Sequence, residues 1–490
     1  ESGGMTMRMI SASRRNVLLA ATFGCLLLAV GCTINPATGK RQLTLISEQQ
    51  EVALGLDEAK KAVAQYGRYP DDELQDYVSE LGLRLAAASE RPDLPWAFTV
   101  VDDPVVNAFA LPGGQIFVTR GILAHFNSEA ELASVLGHEI GHVTGRHSVE
   151  QMSTAQLANL GLGVAMIASE DVRPYAGMAA QGLQLMFLKF SRDDESESDM
   201  LGLRYMTNVG YDPNEMPKMF VTLDRISAAQ GGGRIPVWAS THPNPDRREE
   251  VTYERIERLP SDRQSGTVNR DGYLRRLDGI VFGEDPRQGY FIGNRFCHPE
   301  LEFQLTFPDG WQMMNTRQFV AAVSPEQNAI VQLTLARGDS AAGAEREFFS
   351  SQAVERGEAW NYNFHNFRTV PTQERPTVVR GLIGFLELEG RVYQLVGYTR
   401  EDLWSTHRSV THTSLASFGR LADRRYLNVD AKRIELLELP ERMTIAMFDQ
   451  RYPSTVDVEA LAIVNGVEPN VMLERGTLVK RVIGGQLPGQ

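Results

Sequence analysis

Three residues carry the sharpest chemistry in the sequence: His138, Glu139 and His142, within the run Glu129 to Val143. On a helix, His138 and His142 are four residues apart on one face, close enough to chelate one ion. Glu139 is one position on, so its carboxylate can lie beside the metal and take a proton from water held there. Leu132, Val135, Leu136, Ile140 and Val143 are apolar and can bury the rest of the helix. His147, five residues past His142, falls off the metal-facing line and reads as a structural hydrogen-bonding residue.

Two imidazoles leave a catalytic zinc one protein ligand short. The acidic run Phe190 to Gly202 holds the candidates. Glu195 and Asp199 share a helical face and Glu197 points roughly opposite. One carboxylate could bind the metal while the other orients a ligand from behind. Taken alone, such a cluster also reads as a solvated helix face.

The elements that must position these groups precede and follow them. Asn107-Ala108-Phe109-Ala110-Leu111-Pro112-Gly113-Gly114, with Ile116-Phe117-Val118, lies upstream of that helix. Thr241-His242-Pro243 with Arg248 lies downstream. These ordered motifs resemble the gluzincin branch that holds the CAAX prenyl proteases, HtpX-like proteases and periplasmic BepA-like metallopeptidases. The resemblance spans about Leu43 to Val251 and implies a strand over 107–118 preceding the active helix. It implies His138, His142 and Glu195 as ligands of Zn2+, Glu139 as general base and proton shuttle, and Asp199 as the acid steadying the ligand sphere. It places His242 and Arg248 near the open side of the metal, as oxyanion partners or, for His242, as a fourth ligand that holds the enzyme latent. Asn107, Ala108, Phe109 and Ala110 would bind substrate as an added β-strand.

The whole chain has 490 residues, 42 % hydrophobic and 23 % charged, which is globular composition at a length for two to four domains. Lys plus Arg is 49 against 62 Asp plus Glu, a formal charge of −13. So acidic a chain speaks against nucleic acid as a partner. Cys25, Cys32 and Cys297 allow no disulfide framework, and Cys297 reads as a buried small hydrophobe.

Residues 1–31 read as a signal peptide: Arg8, Arg14 and Arg15 precede the apolar run Val17 to Val30. Leu28-Ala29-Val30-Gly31-Cys32 resembles a lipoprotein lipobox, with Ala29 where Leu is usual, and marks Cys32 for lipidation; an ordinary cleaved signal or an uncleaved anchor is the alternative. Ser13 to Leu18 resembles a twin-arginine export signal. Thr33 after the cysteine is not Asp, so the lipoprotein analogy implies the outer membrane, facing the periplasm. No later apolar run is long enough to span a bilayer; Leu157 to Ala168 and Ala176 to Phe190 read as core or groove-covering helices.

The fold class expected is multidomain. A mainly α, zincin-type (gluzincin) metallopeptidase domain with a short β element occupies 32–260, and 261–287 reads as a linker or extended wrap. An α+β domain follows at 288–425, with strands at Leu301 to Phe307, Ala329 to Leu335, Val378 to Leu388 and Val392 to Tyr398, and helices near Ala341 to Arg356 and Leu403 to Leu421. It resembles the PsbP and Mog-one sandwiches. The stretch 433–485 reads strand–helix–helix–strand. Its pattern from Met443-Thr444-Ile445 through Leu461 to Val467 and Gly476 to Val479 resembles the LysM module, which implies contact with peptidoglycan. The reading that results is a zinc endopeptidase of the bacterial envelope acting on unfolded or misassembled envelope polypeptides. Its alternatives are an assembly factor or chaperone with a latent zinc site, and a peptidoglycan-binding metallohydrolase.

Overall fold

The computed structural model describes residues 32–156, 190–229, 242, 247–361, 363–371 and 377–488. The expected signal peptide and most of the two apolar stretches between 157 and 190 lie outside the described residues. Cys32 opens β1 (Cys32–Ile34), which pairs antiparallel with β2 (Arg41–Leu43) in a short hairpin.

Helices α1 (Glu48–Tyr66) and α2 (Asp72–Ala87) start where Ser47 and Asp71 accept from backbone N–H groups of the first turn. Strands β3 (Ala97–Val101), β4 (Ala108–Leu111) and β5 (Gln115–Thr119) form a sheet of order β3-β5-β4, so β4 is an edge strand. The single strand expected over 107–118 is thus a hairpin, turned at Gly113 and Gly114, whose φ values of 74° and 96° suit glycine. After α3 (Arg120–His125) comes the metal-binding candidate α4 (Glu129–Thr144), capped by Ser128 and buried along its whole length. A further helical stretch follows at 147–156.

Helix α5 (Arg192–Asn208) begins at a reciprocal cap between Ser191 and Asp194 and packs on α4. Two glycines of α4 permit this. A Cβ on Gly137 would meet the Gly202 carbonyl oxygen at 3.0 Å, and one on Gly141 would meet the Ser198 Cα at 3.0 Å. The close approach brings the acidic helix within ligand reach of His138 and His142. Helices α6 (Glu215–Ala229), α7 (Arg248–Glu257) and α8 (Arg270–Arg276) complete this layer. The stretch 261–287 is not a free linker. Tyr273, Leu274 and Leu277 are fully buried in the main core, and the Tyr273 hydroxyl donates to the Leu123 carbonyl at 2.8 Å.

The next region is built on a seven-stranded antiparallel sheet of order β12-β13-β14-β15-β11-β10-β9. Its strands are β9 (Gln312–Asn315), β10 (Phe319–Val323), β11 (Ala329–Leu335), β12 (Val354–Ala359), β13 (Phe364–Thr369), β14 (Val379–Leu388) and β15 (Arg391–Arg400). A four-stranded sheet, β6 (Tyr290–Ile292), β7 (Arg295–His298), β8 (Phe303–Thr306) and β16 (Gly419–Arg420), lies beside it. Leu382 and Ile383, neighbours on β14, enter two different apolar clusters, so the large sheet buries both faces. One face covers α9 (Ala341–Ser350); the other shares its cluster with β7, β8 and α10 (Trp404–Ala416). The helix expected to reach Arg356 ends at Ser350, because Val354 to Arg356 pair with β13 instead. The alternation from Leu301 forms strand only from Phe303, since Glu302 takes a φ of 50°.

After α11 (Arg424–Leu427), the chain ends in β17 (Arg433–Glu438), α12 (Ile445–Arg451), α13 (Val458–Val464) and β18 (Leu478–Ile483), with β17 and β18 antiparallel. Ile434, Val464, Leu478 and Val482 belong to the same apolar cluster as α4, so this module shares the main core. Among the described residues, no helix is long and apolar enough to cross a membrane.

Candidate metal centre and active site

His138, His142, Glu195 and His242 each turn one ligand atom toward a common point, all four atoms lying within 4.8 Å of one another. The two imidazole Nε2 atoms of His138 and His142 are 3.0 Å apart, and each faces Glu195 oxygens at 3.5 and 3.4 Å. His242 Nδ1 stands 3.0 Å from Glu195 Oε1 and 3.3 Å from His138 Nε2. Ligands about 2.0–2.2 Å from a tetrahedral zinc stand roughly 3.3–3.5 Å apart, so the spacing and the N,N,O chemistry fit that ion. The fit extends outward. His138 Nδ1 meets Asp199 Oδ1 at 2.9 Å and His142 Nδ1 meets His147 Nδ1 at 3.0 Å, which leaves both Nε2 lone pairs for a metal.

Glu139 points from the same turn and is completely buried. Neither carboxylate oxygen has a hydrogen-bond partner among the described residues, and Oε1 lies 3.5 Å from His242 Nε2. Burial pushes Glu139 above the usual carboxylate range, against the pull of His242 and His138. For Glu195 burial acts upward too, but the His242 charge and the bonds from His142 and His242 hold it well below that range. Burial also drives His142 well below an ordinary imidazole. In His242 that burial effect is overcome by the charges of Glu195 and Glu139, and the ring is raised. Asp199, desolvated yet faced by Arg248 and His138, sits at about 2.

Arg248 was expected at the open side of the metal. Instead it grips Asp199 with two prongs, at 2.9 and 2.6 Å, and lies over the Phe220 ring at 4.4 Å. Its Nη1 also stands 3.4 Å from Glu195 Oε2 and its Nη2 3.5 Å from His138 Nδ1, so it backs two of the candidate ligands. Thr241 and Pro243 lie outside the described residues.

Strand β4 packs along α4, with Ala108 and Ala110 turned to that side and Phe109 stacked on Phe117 at 5.0 Å. Asn107, just before it, has a buried side-chain oxygen without a partner among the described residues. Two contacts had no signal in the sequence. Phe190 stacks on His142 at 4.0 Å, and Glu197, on the face opposite Glu195, reaches His147 Nε2 at 3.4 Å. A histidine at helical offset five could have drawn attention to the second, had a partner acid been sought for it.

Comparison with known proteins agrees with this geometry. Residues 72–255 match Peptidase family M48. The mitochondrial metalloendopeptidase OMA1 of Schizosaccharomyces pombe is 34 % identical over 219 residues, covering 44 % of this chain and 63 % of that protein. The putative beta-barrel assembly-enhancing protease of Vibrio cholerae is 32 % identical over 198 residues, covering 39 % and 40 %. The chain thus spans less than two thirds of the length of either relative. Among solved structures, cyanobacterial PsbP from Synechocystis sp. PCC 6803 aligns at 13 % identity with a TM-score of 0.19, covering 26 % of this chain and 94 % of that one. The helical region accordingly carries the M48 match, over residues 72–255, together with four residues placed to hold a metal ion, and a sheet-rich region follows it.

Proposed function

We propose that this chain is a zinc-dependent endopeptidase of the bacterial cell envelope. The observation that carries the reading is Glu139: a buried carboxylate with no hydrogen-bond partner among the described residues, one position from a candidate metal ligand. A metal that only held the fold together would not need such a base beside it. His138, His142 and Glu195 would hold the ion. When bound, zinc supplies the Lewis acidity that makes water nucleophilic near neutral pH and polarises a peptide carbonyl. Glu139 takes the proton of the attacking water and returns it to the leaving amine. Asp199, held by Arg248, fixes the His138 ring so that its Nε2 keeps one direction. The edge of β4, unpaired among the described residues, suits an extended polypeptide added as a strand, which reads backbone more than sequence. That mode fits unfolded or misassembled envelope polypeptides as substrates, and the name of the Vibrio relative supports an envelope setting. In this reading Cys32 carries a lipid anchor to the outer membrane, the protein works in the periplasm, and the terminal βααβ module touches peptidoglycan.

The position of His242 favours a second state. With Nδ1 in the ligand set and Nε2 toward Glu139, it fills the space where substrate and water would meet. The resting protein is then a latent assembly factor, and departure of His242 opens the site. Casein cleavage with zinc content assayed alongside tests both states. Glu139→Gln should keep the zinc and lose about 10²–10⁴-fold in rate; His242→Ala should raise the rate. Equal cleavage by His242→Ala and by the double variant His242→Ala/Glu139→Gln would end the peptidase reading.

A further inference from the structure

We propose that the hairpin opened by Cys32, residues 32–43, is a positioning strap for the metal ligand His142, acting through Glu197 and His147. The proposal rests on the reading of His138, His142 and Glu195 as metal ligands.

The two histidines of α4 are oriented differently. Asp199 meets His138 directly, whereas His142 Nδ1 meets another imidazole, that of His147. One imidazole can orient another only if its own tautomer is fixed. For His142 to donate from Nδ1, His147 must accept at Nδ1 and carry its proton on Nε2. Ser198 Oγ, 3.3 Å from the same Nδ1, can donate to it as well. On the other side of the ring, Glu197 Oε1 lies 3.4 Å from Nε2, with Asp194 farther off at 3.8 Å. Glu197 is therefore the acid that sets the His147 tautomer.

Glu197 is nearly buried, and a desolvated carboxylate needs donors. They come from the hairpin: Asn35 Nδ2 to Oε1 at 3.0 Å and Lys40 Nζ to Oε2 at 3.2 Å. The Asn35 amide is itself fixed, because its Oδ1 accepts from the Ala37 and Thr38 N–H groups at 2.9 and 3.2 Å. The same Nδ2 also donates to the Gly145 carbonyl at 3.1 Å, which Gln42 Nε2 reaches at 2.7 Å. Gly145 caps the helix that carries His142. One hairpin thus fixes both the end of the metal helix and the carboxylate behind its second histidine.

The test is zinc affinity of the full chain, measured by chelator competition without substrate, with the absorption spectrum of the cobalt-substituted protein beside it. Glu197→Ala should bind zinc about 10–100-fold more weakly, the usual cost of losing a partner behind a ligand. Asn35→Ala should lose less, about 3–10-fold, because Lys40 remains on Glu197. Both should alter the cobalt spectrum, which a loss of stability alone would not do. Glu139→Gln should bind zinc as wild type does. If Glu197→Ala fails to fold, Asn35→Ala carries the test alone. Wild-type zinc affinity in Asn35→Ala and in folded Glu197→Ala would overturn the strap, whatever happens to melting temperature. If the affinities fall as stated while neither wild type nor His242→Ala cleaves, the strap stands and the peptidase reading falls; if either cleaves and the affinities do not move, the strap alone falls.

Discussion

The two ends of α4 are held by the two ends of the described chain, and in different ways. At its C-terminal end the hairpin 32–43 attaches by side-chain hydrogen bonds, from Asn35 and Gln42 to the Gly145 carbonyl, and one of these residues continues to the His142 side of the site. At its N-terminal end the βααβ module attaches by burial. Ile434, Val464, Leu478 and Val482 enter the core, and the fully buried Lys480 donates to the Ala124 and Phe126 carbonyls at 2.9 and 2.8 Å. Those carbonyls lie just before the Ser128 cap of α4. The difference separates two tasks that share one helix. Contacts at the first end reach a ligand and should register in metal affinity. Contacts at the second end reach no ligand and should register in stability.

The largest expected effect breaks the second end. Lys480→Ala removes a long buried side chain and leaves two buried carbonyls without their donor, for a loss of about 3–5 kcal/mol by chemical unfolding. Zinc affinity of the folded variant should stay at the wild-type value; a tenfold loss would mean that both ends act on the metal. Lys480 also gives this end a pH signature. Burial pulls it from 10.5 to about 7, helped by the charge of Arg270 and opposed by that of Glu131. Between about pH 7 and 10.5 the unfolded chain then holds a proton that the folded chain has released, so stability should climb with pH through that window. Lys480→Met, which keeps the bulk, should lack the climb. A parallel climb in both proteins would place its origin elsewhere.

This contrast also explains what could be read from the sequence. His138, Glu139 and His142 were legible because one helix turn brings them together; Glu195 and Asp199 share a helical face, but only the family resemblance told them from a solvated acidic run. The terminal βααβ order and the long strands β11, β14 and β15 were legible from local periodicity. Contacts across the fold were not. Asn35 and Glu197 are 162 residues apart, and Lys480 lies 356 from Ala124. A lysine in a strand looks solvated until another element covers it. The grip of Arg248 on Asp199 was hidden for the same reason: its motif position gave proximity to the site, while its partner depends on the packing of α7 against α5. The helix expected to reach Arg356 failed because Val354 to Arg356 pair with a strand that local pattern could not supply.

The smallest expected effect sharpens the first end, where two routes to His142 run in parallel. Gln42 Nε2 donates to the Gly145 carbonyl and to Glu150 Oε2, at 2.7 and 2.9 Å, but makes no bond to Glu197. Gln42→Ala therefore loosens the helix end and leaves the carboxylate route intact. The Gly145 carbonyl keeps Asn35 as a donor, so the variant should lose only about 1 kcal/mol of stability. Its zinc affinity should fall by no more than about twofold, well short of the typical loss for a partner behind a ligand. If Gln42→Ala instead weakened zinc as much as Asn35→Ala, the hairpin would act by holding the helix end and not by setting the His147 tautomer. Comparing those two affinities separates the routes, because only Asn35 touches both the carbonyl and the acid.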